Sequence, residues 1–342
     1  MGRRVKVLLI GFGSVGRALA KVIALKRKII NSRYGILIDV VGVADSKGMA
    51  LKAEGFDEYE LLKLCEVPRS GVNLFKPYAH QGVDLNILYS NTQPDVHVEL
   101  TPSEYTSGEP GLSNIMYAID RGAHVVTANK APLVLKYKEI VSRALSRGVR
   151  IKFRATVLGG TPFISTLTSM RSHDVERIEG ILNATSNFIL TEMHEKLVEF
   201  TDALKMAQAL GIAEADPTLD IDGVDAAAKI VIISNILERP LKIEEINRES
   251  ISRVSLRDII DAVRQGYVIK SIASFDVRGG KASIRIAKIP RSELFAQING
   301  VMNGVRIRSD ATEVVFIGRG GGGIETAHSV LDDIVSLSFE DS

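Results

Sequence analysis

The sequence predicts an α/β protein of two domains, the first of them a doubly wound parallel sheet. Three observations carry this prediction. Residues 5–16 (VKVLLIGFGSVG) run an apolar strand into a G-x-G-x-x-G turn that opens a helix. Two further apolar segments, Val96 to Leu100 and His124 to Thr127, stop abruptly at polar residues, as parallel strands do where their carboxyl ends face a ligand. Residues 267–318 instead alternate apolar and polar side chains, which belongs to a separate sheet. A length of 342 residues suits two domains, and with 45% hydrophobic residues each can bury a core.

Taken in order, Gly11 permits the tight turn, Gly13 lets a pyrophosphate approach the backbone, and Gly16 lets the helix lie close to the sheet. That helix extends to about Ile30, and its amino terminus faces the phosphates. Strand, glycines and helix together mark a Rossmann-type dinucleotide site; the glycines alone would be a structural turn. A second strand, about Ile36 to Ala44, ends at Asp45. An acidic residue there accepts hydrogen bonds from an adenosine ribose and favours NAD, or else caps the next turn. Lys47 can meet the 2′-phosphate of NADP, so both cofactors stay open. Residues 46–94 are irregular and show no chemistry. Cys65 reads as a packing residue.

Thr101-Pro102-Ser103 and Ala128-Asn129-Lys130 follow the next two strands. Lys130 is a candidate for cofactor or substrate contact, against the plainer reading of a surface lysine opening a loop. Ile151 to Ala155 makes a short strand, and Thr156 to Pro162, with Gly159 and Gly160 adjacent, reads as the crossover to the second domain. A strand from Val175 to Leu182, the segment Asn183 to Asn187 and a helix follow. A helix from about Phe200 to Leu210 ends at Gly211.

The richest stretch is 211–229, GIAEADPTLDIDGVDAAAK. It carries Glu214, Asp216, Asp220, Asp222 and Asp225, then Lys229. Pro217 excludes a regular helix through the acidic part, and a new helix starts near Asp222 or Gly223, with aspartate suited to the cap. Asp225 and Lys229, four apart, share one face of it. A charge cluster is ordinarily a solvated loop with a surface ion pair. Here the lysine follows three alanines and precedes Ile-Val-Ile-Ile, so a buried helix and a partner for the lysine are expected, and burial there would suit it to proton transfer. Residues 241–265 look helical. The tail places Gly318 and Gly320–Gly323 before an amphipathic helix, as a flexible turn or as a second approach to the cofactor.

A net charge of +2 with both signs dispersed demands neither nucleic acid nor an anionic membrane. No apolar run approaches the ~18 residues that span a bilayer. The single cysteine excludes a disulfide framework and fits a reducing compartment, and no amino-terminal signal is apparent, so a cytoplasmic protein is expected.

These pieces, in this order, resemble homoserine dehydrogenase over essentially the whole chain. The resemblance rests on GFGSVG at 11–16, ELTPS at 99–103, TANKAPL at 127–133, GILNATSNFIL at 180–190 and, most specifically, GIAEADPTLDIDGVDAAAK. The chain resembles the short form, without the carboxy-terminal regulatory domain some members carry. The resemblance implies reversible hydride transfer between aspartate 4-semialdehyde and homoserine with NAD or NADP, in threonine and methionine biosynthesis. It implies a Rossmann domain over 1–150 completed by about 303–342, and a mixed α/β substrate-binding and dimerisation domain over 151–302, in a homodimer. By motif, Lys229 is the acid/base, Asp225 holds substrate and orients it, and Lys130 positions cofactor and substrate. Glu214 binds the substrate ammonium, with Asp220 and Thr185 as further substrate contacts. Phe12, Gly13, Ser14 and Val15 line the pyrophosphate turn between Gly11 and Gly16. Thr101, Gly211 and Gly320 complete the cofactor site with Asp45.

Three positions depart from the family pattern. Arg154-Ala-Thr-Val-Leu158-Gly-Gly stands where Glu-Ala-Thr-Val-Gly-Gly-Gly is common beside a monovalent cation. Carbonyls of Val157, Gly159 and Thr161 can still hold Na+ or K+, with the charge of Arg154 nearby opposing it. Leu158 stiffens the turn, and Ala184 replaces a glycine in the asparagine-rich motif. Two rival functions are a thioester-forming semialdehyde dehydrogenase, which needs a cysteine nucleophile that Cys65 does not suit, and a non-catalytic NAD(P)-binding sensor. The sensor has no need of Lys229, Asp225 and Glu214 together.

Overall fold

The computed structural model describes residues 2–340; residue 1 and residues 341–342, at the two ends of the expected first domain, lie outside the described residues. The chain forms two compact units. The first runs to Thr156 and resumes at Gly322; the second is Val157–Gly321. The chain therefore returns later than the expected residue 303, because the strands on either side of residue 310 hydrogen-bond into the second sheet.

The first unit holds a seven-stranded sheet: β1 (Arg3–Ile10), β2 (Ile36–Ala44), β3 (Gly48–Leu51), β4 (Ala79–Gln81), β5 (Val96–Glu99), β6 (His124–Thr127) and β7 (Ile151–Lys152), in the order β4-β3-β2-β1-β5-β6-β7. β1, β2, β5, β6 and β7 are parallel, and β3 and β4 add an antiparallel edge in the region that reads as irregular. The strand order reverses between β1 and β5, the switch point at which doubly wound sheets bind ligands. The first helix, Ser14–Tyr34, runs one turn beyond Ile30, since nothing breaks it before Gly35, whose left-handed conformation (φ 66°) closes it.

The carboxy-terminal helix Gly323–Glu340 completes this unit. Its Ala327, Val330, Leu331, Ile334 and Leu337 enter the same core as Leu19 and Ile23 of the first helix. Arg154, in a 3₁₀ turn where a strand is expected, donates its N–H to Asp333 at 2.8 Å, and its guanidinium reaches Asp332 (3.3 Å) and Asp333 (3.4 Å). Burial raises the Asp333 carboxyl to about 6 against the opposing pull of Arg154.

The second unit is built on a six-stranded sheet of β8 (Val175–Ile181), β9 (Asn247–Arg248), β10 (Tyr267–Asp276), β11 (Lys281–Pro290), β12 (Met302–Ser309) and β13 (Glu313–Arg319), ordered β13-β12-β8-β10-β11-β9. The alternation over 267–318 becomes two antiparallel hairpins in register. Residues 241–265 are α-helical only over Leu256–Arg264, where Ser255 and Asp258 form a capping box; upstream, two short 3₁₀ turns (Ile243–Glu245 and Ile251–Arg253) flank Asn247 and Arg248, which pair with β11, a tertiary contact that overrides helix propensity. Helices Ala184–Lys196 and Phe200–Ala209 share a core with Ile251, Ile259 and Ile269.

His194, on the first of these helices, accepts the Ile269 N–H at 2.9 Å. Burial, with the charges of Lys270 and Arg291, holds it neutral down to about pH 4. A depressed histidine contributes stability that is present above pH 6.5 and lost as pH falls toward 4. Asp333 titrates in the opposite sense, so the test compares two proteins in which it is common. Relative to His194→Gln, the native chain should lose roughly 1–2 kcal/mol between pH 7 and pH 4.5, the full shift being discounted for partial exposure. Urea unfolding at the two pH values measures this, and parallel pH dependences would remove His194 from the account.

Candidate active site

The candidate residues divide between the units. Gly11 to Gly16, Asp45, Thr101 and Lys130 belong to the first; Val157, Gly159, Thr161, Thr185, Gly211, Glu214, Asp220, Asp225, Lys229 and Gly320 belong to the second.

In the first unit, Gly11 adopts φ 101°, and a β-carbon on it would stand 2.4 Å from the Leu100 carbonyl carbon, so the turn after β1 closes against the end of β5. A β-carbon on Gly16 would meet the Gly11 oxygen at 2.3 Å, whereas one on Gly13 meets nothing within 4 Å. Gly13 caps the helix without a side-chain hydrogen bond, leaving the first-turn amides for an anion. Phe12 is buried under the turn with the Arg17 guanidinium 5.0 Å from its ring centroid; Ser14 is exposed and Val15 half-buried.

The Asp45 carboxylate is turned inward. It accepts backbone N–H groups from Lys47 (2.9 Å), Gly48 (3.2 Å) and Val72 (2.9 Å), which is the capping alternative. Sequence reasoning passed over Arg69, whose guanidinium donates to Ser14 Oγ of the glycine turn at 3.1 Å; its neighbour Ser70 bonds Ser46 Oγ at 3.0 Å. Arg69 thus stands between the glycine turn and the end of β2. Cys65 caps a helix, packs against the core and is half-buried, and burial raises its thiol, so no thiolate nucleophile is presented.

In the second unit, helix Val224–Ile236 is apolar on all sides and buried from Ala226 to Ser234. Its cap is Gly223, in the left-handed region at φ 72°, rather than an aspartate. Lys229 lies one turn in and is 7% exposed. Its ammonium donates to Asp225 Oδ2 at 2.7 Å and to the Leu182 carbonyl at the end of β8 at 2.5 Å. An ammonium has three N–H bonds, so one is left for a further acceptor.

Asn183, which sequence reasoning left without a role, organises the surroundings. Its Oδ1 caps helix Ala184–Lys196 by accepting the Ser186 N–H (2.8 Å), while its Nδ2 donates to Asp220 (2.6 Å) and Asp225 (3.0 Å). An asparagine directly before a helix-forming run was the available signal. Burial, and then the charge of Asp225, raises the Asp220 carboxyl. Thr185 Oγ1 donates to the Ile212 carbonyl at 3.2 Å, tying down the acidic loop on which Glu214 stands exposed. Asp216 is structural: it accepts the Thr218 N–H and hydroxyl and starts the single turn Thr218–Ile221. Gly211, at φ 68°, ends the preceding helix.

The crossover turn contains Leu158 in the left-handed region, φ 47°, with its side chain fully buried. That backbone costs about 1–2 kcal/mol, less than the roughly 2–5 kcal/mol a buried leucine contributes, so burial decides. Gly159 and Gly160 donate N–H groups to Gly320 and Arg319, each at 3.2 Å. A β-carbon on Gly320 would lie 2.1 Å from Asn303 Oδ1; Asn303 is fully buried and neither atom of its amide has a partner within the protein. The charge of Arg154, expected to oppose a cation at this turn, is met by Asp332 and Asp333 within the first unit. A cavity of about 510 Å³ along β10 and β11 holds none of the candidate residues.

Asn183→Ala removes a helix cap, worth ~1 kcal/mol, and the donor to two half-buried carboxylates, worth ~1–3 kcal/mol. A loss of roughly 2–3 kcal/mol in urea unfolding is expected; less than 0.5 kcal/mol would show that the carboxylates do not depend on it.

Comparison with known proteins matches both units. Residues 11–154 fit the family model for the NAD-binding domain of homoserine dehydrogenase, and residues 162–335 fit that for homoserine dehydrogenase. The chain is 36% identical over 336 residues to the homoserine dehydrogenase of Methanocaldococcus jannaschii, covering 97% of this chain and 98% of the relative. The crystal structure of a homoserine dehydrogenase from Thiobacillus denitrificans superposes with a TM-score of 0.83 at 33% identity, over 98% of this chain and 73% of the other. A hyperthermophilic archaeal homoserine dehydrogenase in complex with NADPH gives 0.84 at 30% identity, over 99% and 98%.

Proposed function

This chain belongs to the homoserine dehydrogenase family, and on that premise we propose that Lys229 is the proton donor and acceptor of an NAD(P)-dependent interconversion of L-aspartate 4-semialdehyde and L-homoserine. The observation that carries the assignment is the buried ammonium of Lys229, held by Asp225 and the Leu182 carbonyl with one N–H bond to spare. The nicotinamide, when bound, supplies or accepts the hydride. Reduction of the aldehyde turns its carbonyl oxygen into an alkoxide, and Lys229 delivers a proton to that oxygen. In the reverse direction it removes the proton from the homoserine hydroxyl. Asp225 fixes the ammonium through its 2.7 Å contact, and Asn183 holds Asp225. Glu214, exposed on its loop, pairs with the substrate ammonium; Asp220 and Thr185 shape the same loop and contact substrate. A sensor has no use for a buried proton donor, which favours the enzyme. The family resemblance supports a cytoplasmic homodimer.

The cofactor is held by the turn Gly11 to Gly16, with Thr101 and Lys130 at its nicotinamide end and Gly211 and Gly320 as further contacts. The inward turn of Asp45 and the position of Arg69 favour NADP over NAD, with Lys47 assisting at the 2′-phosphate. The carbonyls of Val157, Gly159 and Thr161 hold a monovalent cation; the orphaned Asn303 amide beside Gly320 supports a polar ligand at this turn.

Lys229→Ala should lower kcat by ~10²–10⁴ while the dissociation constant for cofactor changes less than twofold. Retention of most of the turnover, followed as absorbance at 340 nm with homoserine, would take Lys229 out of the mechanism. Arg69→Ala should raise KM for NADP about tenfold, the lower end for a charge-assisted hydrogen bond at an exposed site, and leave KM for NAD unchanged. Equal changes for the two cofactors would show that Arg69 does not read the 2′-phosphate.

A further inference from the structure

Beneath the loops that follow β5 and β6 lies a carboxylate that neither the proton transfer nor the phosphate contacts employ. Glu99, the last residue of β5, is fully buried. A buried carboxylate persists only if its oxygens are satisfied. Oε1 accepts the Thr101 N–H at 2.7 Å and the Thr101 hydroxyl, and Oε2 accepts Asn114 Nδ2 at 2.9 Å. His97 Nε2 lies 3.7 Å from Oε2, and His97 Nδ1 is 3.0 Å from the Tyr89 hydroxyl. Burial alone would raise the Glu99 carboxyl; His97, Thr101 and Asn114 outweigh it and keep the group ionised.

An ionised carboxylate accepts and never donates. The Thr101 hydroxyl must therefore give its hydrogen to Glu99, which leaves the threonine oxygen as an acceptor. Asn129 Nδ2 takes that position at 3.1 Å. This turns the Asn129 carbonyl the other way, where it accepts the Ser103 hydroxyl at 2.9 Å and the Ala131 N–H at 3.1 Å. Ser103, its hydrogen committed, accepts the Lys130 N–H at 3.0 Å. Gly111 makes room for this arrangement, since a β-carbon there would stand 2.3 Å from Asn129 Nδ2. One charge thus sets the direction of every bond in a chain of four residues.

We propose that Glu99 is a positioning residue, whose carboxylate acts through Thr101, Asn129 and Ser103 to fix loops 101–103 and 128–130 where they receive the nicotinamide end of the cofactor. The proposal rests on the reading of the first unit as the cofactor site. A glutamine at position 99 keeps the shape but brings an amide donor toward Thr101. The threonine hydroxyl can then turn away, Asn129 can flip, and the loops lose their single arrangement.

The test uses the full chain and two ligands. NAD(P)H carries the nicotinamide; ADP-ribose, with or without a 2′-phosphate, lacks it. Glu99→Gln is expected to weaken NAD(P)H binding, measured by nicotinamide fluorescence, at least tenfold, and to leave ADP-ribose binding, measured by calorimetry, within twofold of the native chain. Loss of both affinities together, or of neither, overturns the proposal. If Glu99→Gln does not fold, Ser103→Ala breaks the last link of the chain and is expected to show the same selective loss, with unchanged NAD(P)H affinity counting against the relay. Failure of the native chain to bind ADP-ribose at all would instead overturn the cofactor reading, and the proposal with it.

Discussion

Placing an ammonium inside an apolar helix is the constraint around which the second unit is arranged. Desolvating that charge costs several kcal/mol unless its hydrogens are met. Asp225 meets one from the same helix face, and the carbonyl of Leu182, the residue that follows β8, meets another. The next residue, Asn183, starts a helix with one side of its amide and braces Asp220 and Asp225 with the other. Strand end, helix start and acidic turn converge because each supplies part of the solvation that Lys229 has lost.

The first unit solves a related problem with the opposite sign. Glu99 also ends a strand and is also deprived of water, but its surroundings donate rather than accept. In both places a buried charge at or beside a strand terminus dictates the orientation of neighbouring neutral groups. The consequence differs. Around Lys229 the network leaves one hydrogen unspent, which is what proton transfer needs. Around Glu99 both carboxylate oxygens and the side chains of Thr101, Asn129 and Ser103 are committed, which is what a rigid receiving surface needs.

Much of this was legible in the sequence where the determinants are local. The glycine turn, the strands at 36–44 and 124–127, and the two hairpins beyond residue 267 follow from apolar periodicity and turn residues within a few positions. The pairing of Asp225 with Lys229 follows from a four-residue spacing. What was not legible depends on partners far along the chain. β3 and β4 are four- and three-residue strands whose identity rests on the pairing of β3 with β2 and of β4 with β3. The helix foreseen over 241–265 forms only from Leu256 onward, and upstream of it Asn247 and Arg248 pair with β11. The Leu182 carbonyl and the inward turn of Asp45 toward Val72 are tertiary facts, as is the burial of Glu99, which reads in sequence as an ordinary strand end.

The discontinuity of the first unit has a bearing on how the protein is made. Its core includes Ala327, Val330, Leu331, Ile334 and Leu337 of the last helix, packed with Leu19 and Ile23 of the first, whereas the second unit is one uninterrupted stretch from Val157 to Gly321. During synthesis at ~5–20 residues per second, the amino-terminal sheet emerges early but carries an open apolar groove along its first helix until that last segment leaves the ribosome. The second unit has all of its strands before then and can close first. The domain begun earliest is thus the last to be finished, and the dinucleotide fold spends most of translation exposed to chaperones and to its own unsatisfied surface.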